Sequence, residues 1–314
     1  MATDYRRLLD LKIPDVPQTY SARDVMLYAL SLGVGSNPMD ERELAFVYEK
    51  ELQALPTMPV TLGHPGFWPR DLDSGLDWTK IVHAEQDLVL HRPLKAGASI
   101  IGRNRIADVV DKGVGKGALV YWERVIYEAG DDAPLCTMVQ TMFCRGDGGI
   151  GGSGRPVRAP HPIPARAPDM VDERVTLPQM ALLYRLNGDL NPLHADPDVA
   201  RRAGFERPIL HGLATFGIAG LAILKCVCDY DPARVASMSC RFTAPIFPGE
   251  RLRTELWLDG AEVSFTVKVV ERDLIAVNHG RATLRSELTC SVARPVTAVS
   301  AVRGGRSGGL PPRL

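Results

Sequence analysis

The sequence predicts an α+β fold in which one unit of helix and sheet occurs twice. Three observations support this prediction. The residues around position 28 resemble those around position 183, and the stretch that begins at Leu90 resembles the one that begins at Phe242. A run rich in glycine and proline separates the two copies. Only the second copy contains a helix apolar enough to be enclosed by its own sheet.

Each copy opens with a sequence typical of a helix start. Ser21 to Asp24 and Thr176 to Gln179 both have the spacing of a capping box, in which two side chains bond each other's backbone N–H groups. Farther along each copy, apolar and polar residues alternate, as in strands joined by turns. Each copy is therefore expected to be a helix followed by an antiparallel sheet.

Composition divides the 314 residues into four segments. Residues 1–144 form the first copy. Residues 145–170 contain six glycines and five prolines, a composition that resists helix and strand and predicts a linker. Residues 171–292 form the second copy. Residues 293–314 are rich in arginine, glycine and proline and are expected to be a disordered tail.

The two copies differ in their long helix. In the second copy, the sequence GLATFGIAGLAILKCVC from Gly212 is apolar on nearly every face, so a helix there must be enclosed on all sides. The corresponding residues 56–75 of the first copy contain four prolines and cannot form the same helix. We expect the helix of the first copy to be missing or broken, and the volume it vacates to form an apolar tunnel.

The overall charge excludes two classes of partner. The chain has 37 lysines and arginines and 37 aspartates and glutamates, so no net field attracts it to nucleic acid or to an anionic membrane. No stretch of about 18 apolar residues predicts a membrane span, and the N-terminus lacks a secretory signal. The cytoplasm is the expected compartment. A peroxisomal location is the alternative, because the terminal Pro-Arg-Leu faintly resembles a peroxisomal address.

The cysteines and glycine motifs predict no cofactor site. The six cysteines form no CxxC pair and are expected to be reduced thiols. Residues 146–151 have the spelling GxGxxG, but more glycine and proline follow, so no helix can begin there. His64, His91, His161 and His279 have no acid at a suggestive spacing and are expected to be ordinary histidines.

The densest polar group in the sequence is NGDLNPLH, residues 187–194. It follows an amphipathic run and is expected to form a loop. A turn at Asn191 can direct the side chains of Asp189 and His194 toward one water molecule. The alternative is that these are turn residues and a surface histidine without further function.

A glycine farther along the chain favours the functional interpretation. Gly212 opens the apolar helix, where its N–H would be an unpaired donor at the positive end of the helix dipole. The positions of the first copy that align with Asp189 and His194 are Gly35 and Asp40. Only the second copy is therefore expected to be catalytic.

These residue types match a known kind of chemistry. Adding water to an α,β-unsaturated acyl thioester needs a base for water, an acid for the α-carbon and a donor for the carbonyl oxygen. Two alternatives remain open. In a thioesterase the same water would attack the carbonyl carbon, and a binding subunit would hold an acyl-CoA without reaction.

The motif YRLNGDLNPLHADPDVA, followed by PILHGLATFG, resembles the type 2, (3R)-specific enoyl-CoA hydratases of the MaoC-like dehydratase family. The resemblance covers about residues 5–292. It implies a double hot-dog fold with two antiparallel sheets, a long buried central helix in the C-terminal repeat and a degenerate or missing helix in the N-terminal repeat, which would bind the acyl tail.

The resemblance also implies site residues and partners. Asp189 and His194 would be the catalytic pair, Asn191 their positioning neighbour and Gly212 the oxyanion donor. The substrate would be a trans-2-enoyl-CoA, hydrated to a (3R)-3-hydroxyacyl-CoA in fatty-acid or sterol side-chain β-oxidation. No metal or other cofactor is expected, and the fold suggests a homodimer.

Further residues would contact the coenzyme A thioester by the same resemblance. They are His83, Ala84, Lys112, Gly212 and Phe242. Ala84 replaces a glycine of the family pattern, and Asn187 stands where a small residue is usual. Lys112 could instead be a solvated turn residue, and His83 a strand residue with a satisfied hydrogen bond.

Overall fold

In the computed structural model, which describes residues 4–285, ten strands form one continuous antiparallel sheet. The strands are β1 (Val16–Tyr20), β2 (Ile81–Leu90), β3 (Ala98–Asp111), β4 (Ala118–Glu128), β5 (Pro134–Cys144), β6 (Met170–Val175), β7 (Val235–Phe242), β8 (Arg251–Asp259), β9 (Glu262–Val269) and β10 (Leu274–Leu284). The α-helices are α1 (Tyr5–Asp10), α2 (Ala22–Ser31), α3 (Glu41–Leu44), α4 (Trp68–Asp71), α5 (Met180–Tyr184), α6 (Pro197–Arg202) and α7 (Gly212–Val227).

The strand order confirms the duplication. The first five strands lie in the order β1-β3-β4-β5-β2, and the last five lie in the order β6-β8-β9-β10-β7. Each half therefore places its first strand at one edge and its second strand at the other. The internal repeat in the sequence is a repeat of topology.

The two expected sheets are joined into one. Strands β2 and β7 pair edge to edge, with a register that runs from Glu85 opposite Arg241 to Val89 opposite Ser237. Each half alone would leave a row of backbone N–H and C=O groups unpaired at this edge, and the junction satisfies them. The sequence did not predict this pairing, because the alternation along a strand does not show which edge it meets.

The apolar helix of the second copy is enclosed as predicted. All eleven residues from Ala214 to Leu224 are buried. Two of them are glycines that allow close approach of the first copy. A Cβ on Gly217 would lie 2.6 Å from Leu32, and a Cβ on Gly220 would lie 2.6 Å from Thr57. The central helix therefore packs against both halves of the chain.

The first copy lacks the corresponding helix, as predicted. Residues 56–75 contain only two short helical segments, Met58–Thr61 and Trp68–Asp71. Met58, Val60 and Leu62 of this stretch are buried in the same core cluster as the central helix of the second copy. In the first copy, residues 56–75 therefore pack in the core without forming a long helix. The apolar tunnel stays a prediction.

One of the two predicted helix starts is wrong. The carboxylate of Asp24 accepts a hydrogen bond from the Ser21 N–H at 2.8 Å, and the capping box is present there. Helix α5 instead begins at Met180, after Gln179. The hydroxyl of Thr176 is buried and donates to the Glu250 carbonyl, so a tertiary contact has taken the side chain expected to cap the helix.

Polar contacts also tie the copies together. The Arg174 guanidinium, on β6, binds the Glu43 carboxylate of the first copy at 3.0 Å and donates to the Gly33 carbonyl at 2.6 Å. The chain between Cys144 and Met170 forms no helix or strand. The expected tail, 293–314, lies outside the described residues.

Two expectations from the composition are compared with the described residues only. None of the helices within residues 4–285 is long and apolar enough to cross a membrane. The five cysteines of that part of the chain are free thiols.

We predict that Glu43→Gln lowers the free energy of unfolding by about 3 kcal/mol, because it leaves a buried guanidinium without its counter-charge. The side chains of Glu43 and Arg174 are only 6% and 12% exposed. Urea denaturation measures the change. Glu123→Gln is the matched control, since its partner Arg105 is 66% exposed, and we expect a loss below about 1 kcal/mol. Equal losses in the two variants would contradict this account.

Candidate active site

The loop between α5 and α6 carries the three polar residues predicted to act together. Gly188, with a φ of 112°, ends the turn that follows α5. The Asp189 carboxylate then accepts from the Asn191 N–H at 3.2 Å, and the Asn191 side-chain oxygen accepts from the Leu193 N–H at 3.1 Å. These are the turn bonds of the alternative interpretation. They hold Asp189 and His194 on one short, well-defined segment.

This segment brings the predicted acid–base pair together with a third group. Polar atoms of Asp189, His194 and His211 all lie within 4.8 Å of one another. The imidazole rings of His194 and His211 stack with centroids 3.7 Å apart. Two hydrogen bonds of ordinary length let one water bridge groups up to about 5.5 Å apart. A single water can therefore contact both Asp189 and His194.

Hydrogen bonds define the protonation of the two rings. The Nδ1 atom of His194 lies 2.8 Å from the Ile209 carbonyl, which can only accept, so Nδ1 carries the hydrogen. The Nε2 atom of neutral His194 is then a free acceptor. The Nε2 atom of His211 donates to the Asp189 backbone carbonyl at 3.3 Å and ties the loop to the start of α7.

The charge state of the pair follows from its surroundings. Burial lowers the pKa of His194 below its ordinary value, and this effect exceeds the opposite effect of the Asp189 charge. Burial raises the pKa of Asp189, but the nearby His211 and His194 and the Asn191 N–H outweigh it and hold that pKa below its ordinary value. At neutral pH the site contains a carboxylate and a neutral imidazole, and both can accept a proton.

The pair lies in a recess. Asp189 and His64 keep solvent-exposed surface although protein atoms surround both densely. A convex surface cannot combine these two properties. The same dense surroundings lower the pKa of His64 to about 3 and that of His83 to about 4, mainly through desolvation. Both rings are neutral at physiological pH.

Gly212 and two residues of the predicted thioester site form one wall. Gly212 is the first residue of α7, and within residues 4–285 its N–H has no hydrogen-bond acceptor. A Cβ at this position would lie 3.2–3.4 Å from the Phe242 ring. That ring meets the edge of the His83 ring, with centroids 4.9 Å apart. His83 comes from the first copy and Phe242 from the second, so both copies build the site.

The remaining predicted contact residues, Ala84 and Lys112, lie on β2 and on the turn after β3. Ala84 lies at a register shift between β2 and β5, a bulge where a residue with a small side chain fits. Lys112 is exposed on the turn after β3, with its ammonium 4.8 Å from the Phe143 ring centroid, and no acid among the described residues pairs with it. His83 bonds the Glu85 carbonyl at 3.1 Å, as the alternative expected, although it also borders the site.

Four residues near the recess were not predicted. They are His64, Arg124, Tyr184 and His211. His211 precedes Gly212 in the motif, and this position could have signalled it. Arg124 interrupts an alternating strand at an inward position, which was also a readable signal. Nothing in the sequence near His64 indicates that it meets the site.

The comparisons with known proteins agree with the fold. A family model described as MaoC like domain matches residues 159–279, and one described as MFE-2 hydratase 2 N-terminal domain matches residues 18–146. The chain is 42% identical over 289 residues to the Arabidopsis thaliana protein named enoyl-CoA hydratase 2, peroxisomal, covering 85% of this chain and 91% of that protein.

Solved structures show the same architecture. The MaoC-like dehydratase from Phytophthora capsici is 32% identical, with a TM-score of 0.81 and coverage of 92% of this chain and 100% of that one. A Mycobacterium tuberculosis protein described as a double hotdog fold is 16% identical, with a TM-score of 0.52 and coverage of 87% and 93%. The second likeness supports the fold alone.

The fold defines a class of duplicated hot-dog proteins. Within that class, this chain belongs to the enoyl-CoA hydratase 2 family of MaoC-like proteins. The family resemblance and the double hot-dog fold predicted from the sequence are confirmed.

We predict that Asp189→Asn lowers the pKa of His194 further below its ordinary value of about 6.5, because the carboxylate stabilises the imidazolium. Titration of the ring signals by NMR measures this pKa in both proteins. Asp196→Asn is the control, since Asp196 caps α6 and Asn retains that function. An increase in the His194 pKa on loss of the Asp189 charge would contradict the assigned interaction.

Proposed function

We propose that this protein hydrates trans-2-enoyl-CoA thioesters to 3-hydroxyacyl-CoA. The observation that carries the proposal is the convergence of Asp189 and His194, within one water's reach, beside a Gly212 N–H without an acceptor among the described residues. The name of the Arabidopsis thaliana relative, enoyl-CoA hydratase 2, points to the same reaction.

The thioester carbonyl would bind at the start of α7. The Gly212 N–H donates to its oxygen at the positive end of the helix dipole and stabilises the enolate-like charge that develops when water adds. The absence of a Cβ leaves room for the carbonyl under the Phe242 ring. His83 continues this wall, Ala84 follows it along β2, and exposed Lys112 suits a phosphate of coenzyme A.

The proton steps use the two acceptors. One water donates its hydrogens to the Asp189 carboxylate and to Nε2 of His194. Its oxygen bonds to Cβ of the substrate while one of these groups takes a proton from the water, and the same group then gives that proton to Cα on the same face. The elements of one water molecule are added without oxidation or reduction. Asn191 holds the two groups in register through its bond to the Leu193 N–H.

The finer assignments extend the proposal. The (3R) configuration and a role in fatty-acid or sterol side-chain β-oxidation rest on the family resemblance. The first copy, 1–144, would bind coenzyme A and the acyl tail, and the second copy, 171–292, would catalyse. The chain would act as a homodimer without cofactor. Its compartment would be the cytoplasm, with the peroxisome as the alternative that the relative's name raises.

An assay on crotonyl-CoA separates hydration from its alternatives. A hydratase consumes the enoyl absorbance and releases no thiol. A thiol reagent that detects stoichiometric free coenzyme A would instead identify a thioesterase, and tight binding without any turnover would identify a binding subunit. Chiral analysis of the product tests the (3R) configuration.

We predict that Asp189→Asn and His194→Ala each reduce kcat by at least about 100-fold with folding retained, because each removes an acid–base group. The double variant should be little slower than the slower single variant, since both groups act on one water. Asp196→Asn, on the adjacent helix cap, should keep wild-type turnover. Near-normal turnover in either single variant, or a double variant whose losses multiply, would rule out the shared water.

A further inference from the structure

A single arginine stands on the buried face of strand β4. The inward positions of this strand are occupied by Val120, Trp122, Arg124 and Ile126. Arg124 is 5% exposed and belongs to the first copy. Alternation along a half-buried strand calls for an apolar side chain at this position. A charged residue there needs a specific reason.

The guanidinium of Arg124 is only partly satisfied. Its Nη2 atom donates to the Val60 carbonyl at 2.6 Å and lies 3.7 Å from the Met138 sulfur, a weak acceptor. The Nε and Nη1 atoms are buried without an acceptor in the described part of the chain. No carboxylate of residues 4–285 forms an ion pair with it. Three N–H groups therefore remain unpaired.

This arrangement is costly for a folded protein. Desolvation lowers the pKa of Arg124 to about 10, so the group is still a cation at neutral pH. An unpaired buried charge destabilises the fold by several kcal/mol, and proteins pair such charges as a rule. Arg174, another shielded arginine, has both a carboxylate and a carbonyl as partners. Arg124 lacks the anion that its position requires.

Arg124 is close to the recess that contains the catalytic pair. Its guanidinium carbon lies 5.3 Å from the centroid of the Trp122 ring, and the His64 ring packs against the same indole at 5.1 Å. Tyr184 contacts the His211 ring, with centroids 4.9 Å apart. The charges of Arg124 and Asp189 act on the pKa of both His64 and Tyr184: Arg124 lowers it and Asp189 raises it. These two residues therefore connect the arginine to the site of hydration.

Val60, whose carbonyl accepts a hydrogen bond from the guanidinium, lies in the copy that is proposed to receive the acyl tail. Val60 belongs to the irregular segment that replaces the missing helix of the first copy. In the proposed function, this copy receives the acyl tail. The Val60 carbonyl holds one nitrogen and leaves the others free for a ligand.

We propose that Arg124 binds a carboxylate on the acyl part of the substrate, so that this protein hydrates enoyl-CoA thioesters with a carboxylate at the far end of the chain. The inference rests on the proposed hydration. A guanidinium binds both oxygens of a carboxylate, and a charged partner satisfies N–H groups and charge together. A neutral hydroxyl or keto oxygen would leave the charge uncompensated.

The test compares matched substrates on the purified full chain. The series is an unsubstituted trans-2-enoyl-CoA, the ω-carboxy form, its methyl ester and the ω-hydroxy form, each at several chain lengths. We expect wild type to have a kcat/KM at least about 10-fold higher for the carboxy form than for its methyl ester at the best length. In Arg124→Met this preference should disappear, while the unsubstituted chain is hydrated at least as well as by wild type.

Arg105→Met is the matched control. Arg105 lies on the neighbouring strand β3, is exposed and pairs with Glu123, so its loss should leave the preference intact. Hydration of unsubstituted chains without preference for the carboxylate at any length would overturn the proposal. So would retention of the preference in Arg124→Met, or an equal preference for the ω-hydroxy form.

Two measurements keep the test decisive. If Arg124→Met does not fold, the wild-type comparison of carboxylate and methyl ester decides the question alone. If wild type hydrates none of the thioesters, the proposed function fails, and calorimetric binding of saturated ω-carboxyacyl-CoA and its methyl ester tests the subsite separately. Equal binding of these two ligands would then overturn the role of Arg124.

Discussion

The pairing of strands β2 and β7 is the constraint on which the rest of this molecule depends. Each copy ends at an edge whose backbone groups need partners, and the two edges satisfy each other. The Glu85 carboxylate and the Arg241 guanidinium add an ion pair at 2.6 Å across the same junction. The junction brings His83 of one copy against Phe242 of the other, at the start of the central helix. A site built from both copies follows directly.

The difference between the two copies arises from local sequence and not from the contact between them. Both halves keep the same strand order, but only the second keeps a continuous apolar helix. In the first half, prolines and glycines prevent that helix, and the replacing segment crosses the sheet where Gly63 lies against Gly102. Backbone carbonyls of this segment, such as that of Val60, can accept hydrogen bonds from side chains. One half thereby retains the enclosed helix, and the other accommodates a buried arginine.

The surroundings of the recess determine the protonation states of its histidines and of Asp189. Its histidines are surrounded by protein and lose solvation, so their pKa values fall and the rings stay neutral. Asp189 stays ionised because neighbouring imidazoles and a backbone N–H favour the carboxylate. Neutral imidazole beside carboxylate is a suitable resting state for activating water.

Local patterns in the sequence determined the duplicated α+β unit, the enclosed helix at Gly212, the missing helix at residues 56–75 and the loop with Asp189 and His194. These features depend on residues that are near one another in the chain, where periodicity, proline and turn residues act directly. Only the tertiary structure decided the single ten-stranded sheet, the loss of the Thr176 cap, and the approach of His64 to the site. Each of these depends on which distant surfaces meet, and no local pattern of residues encodes that choice.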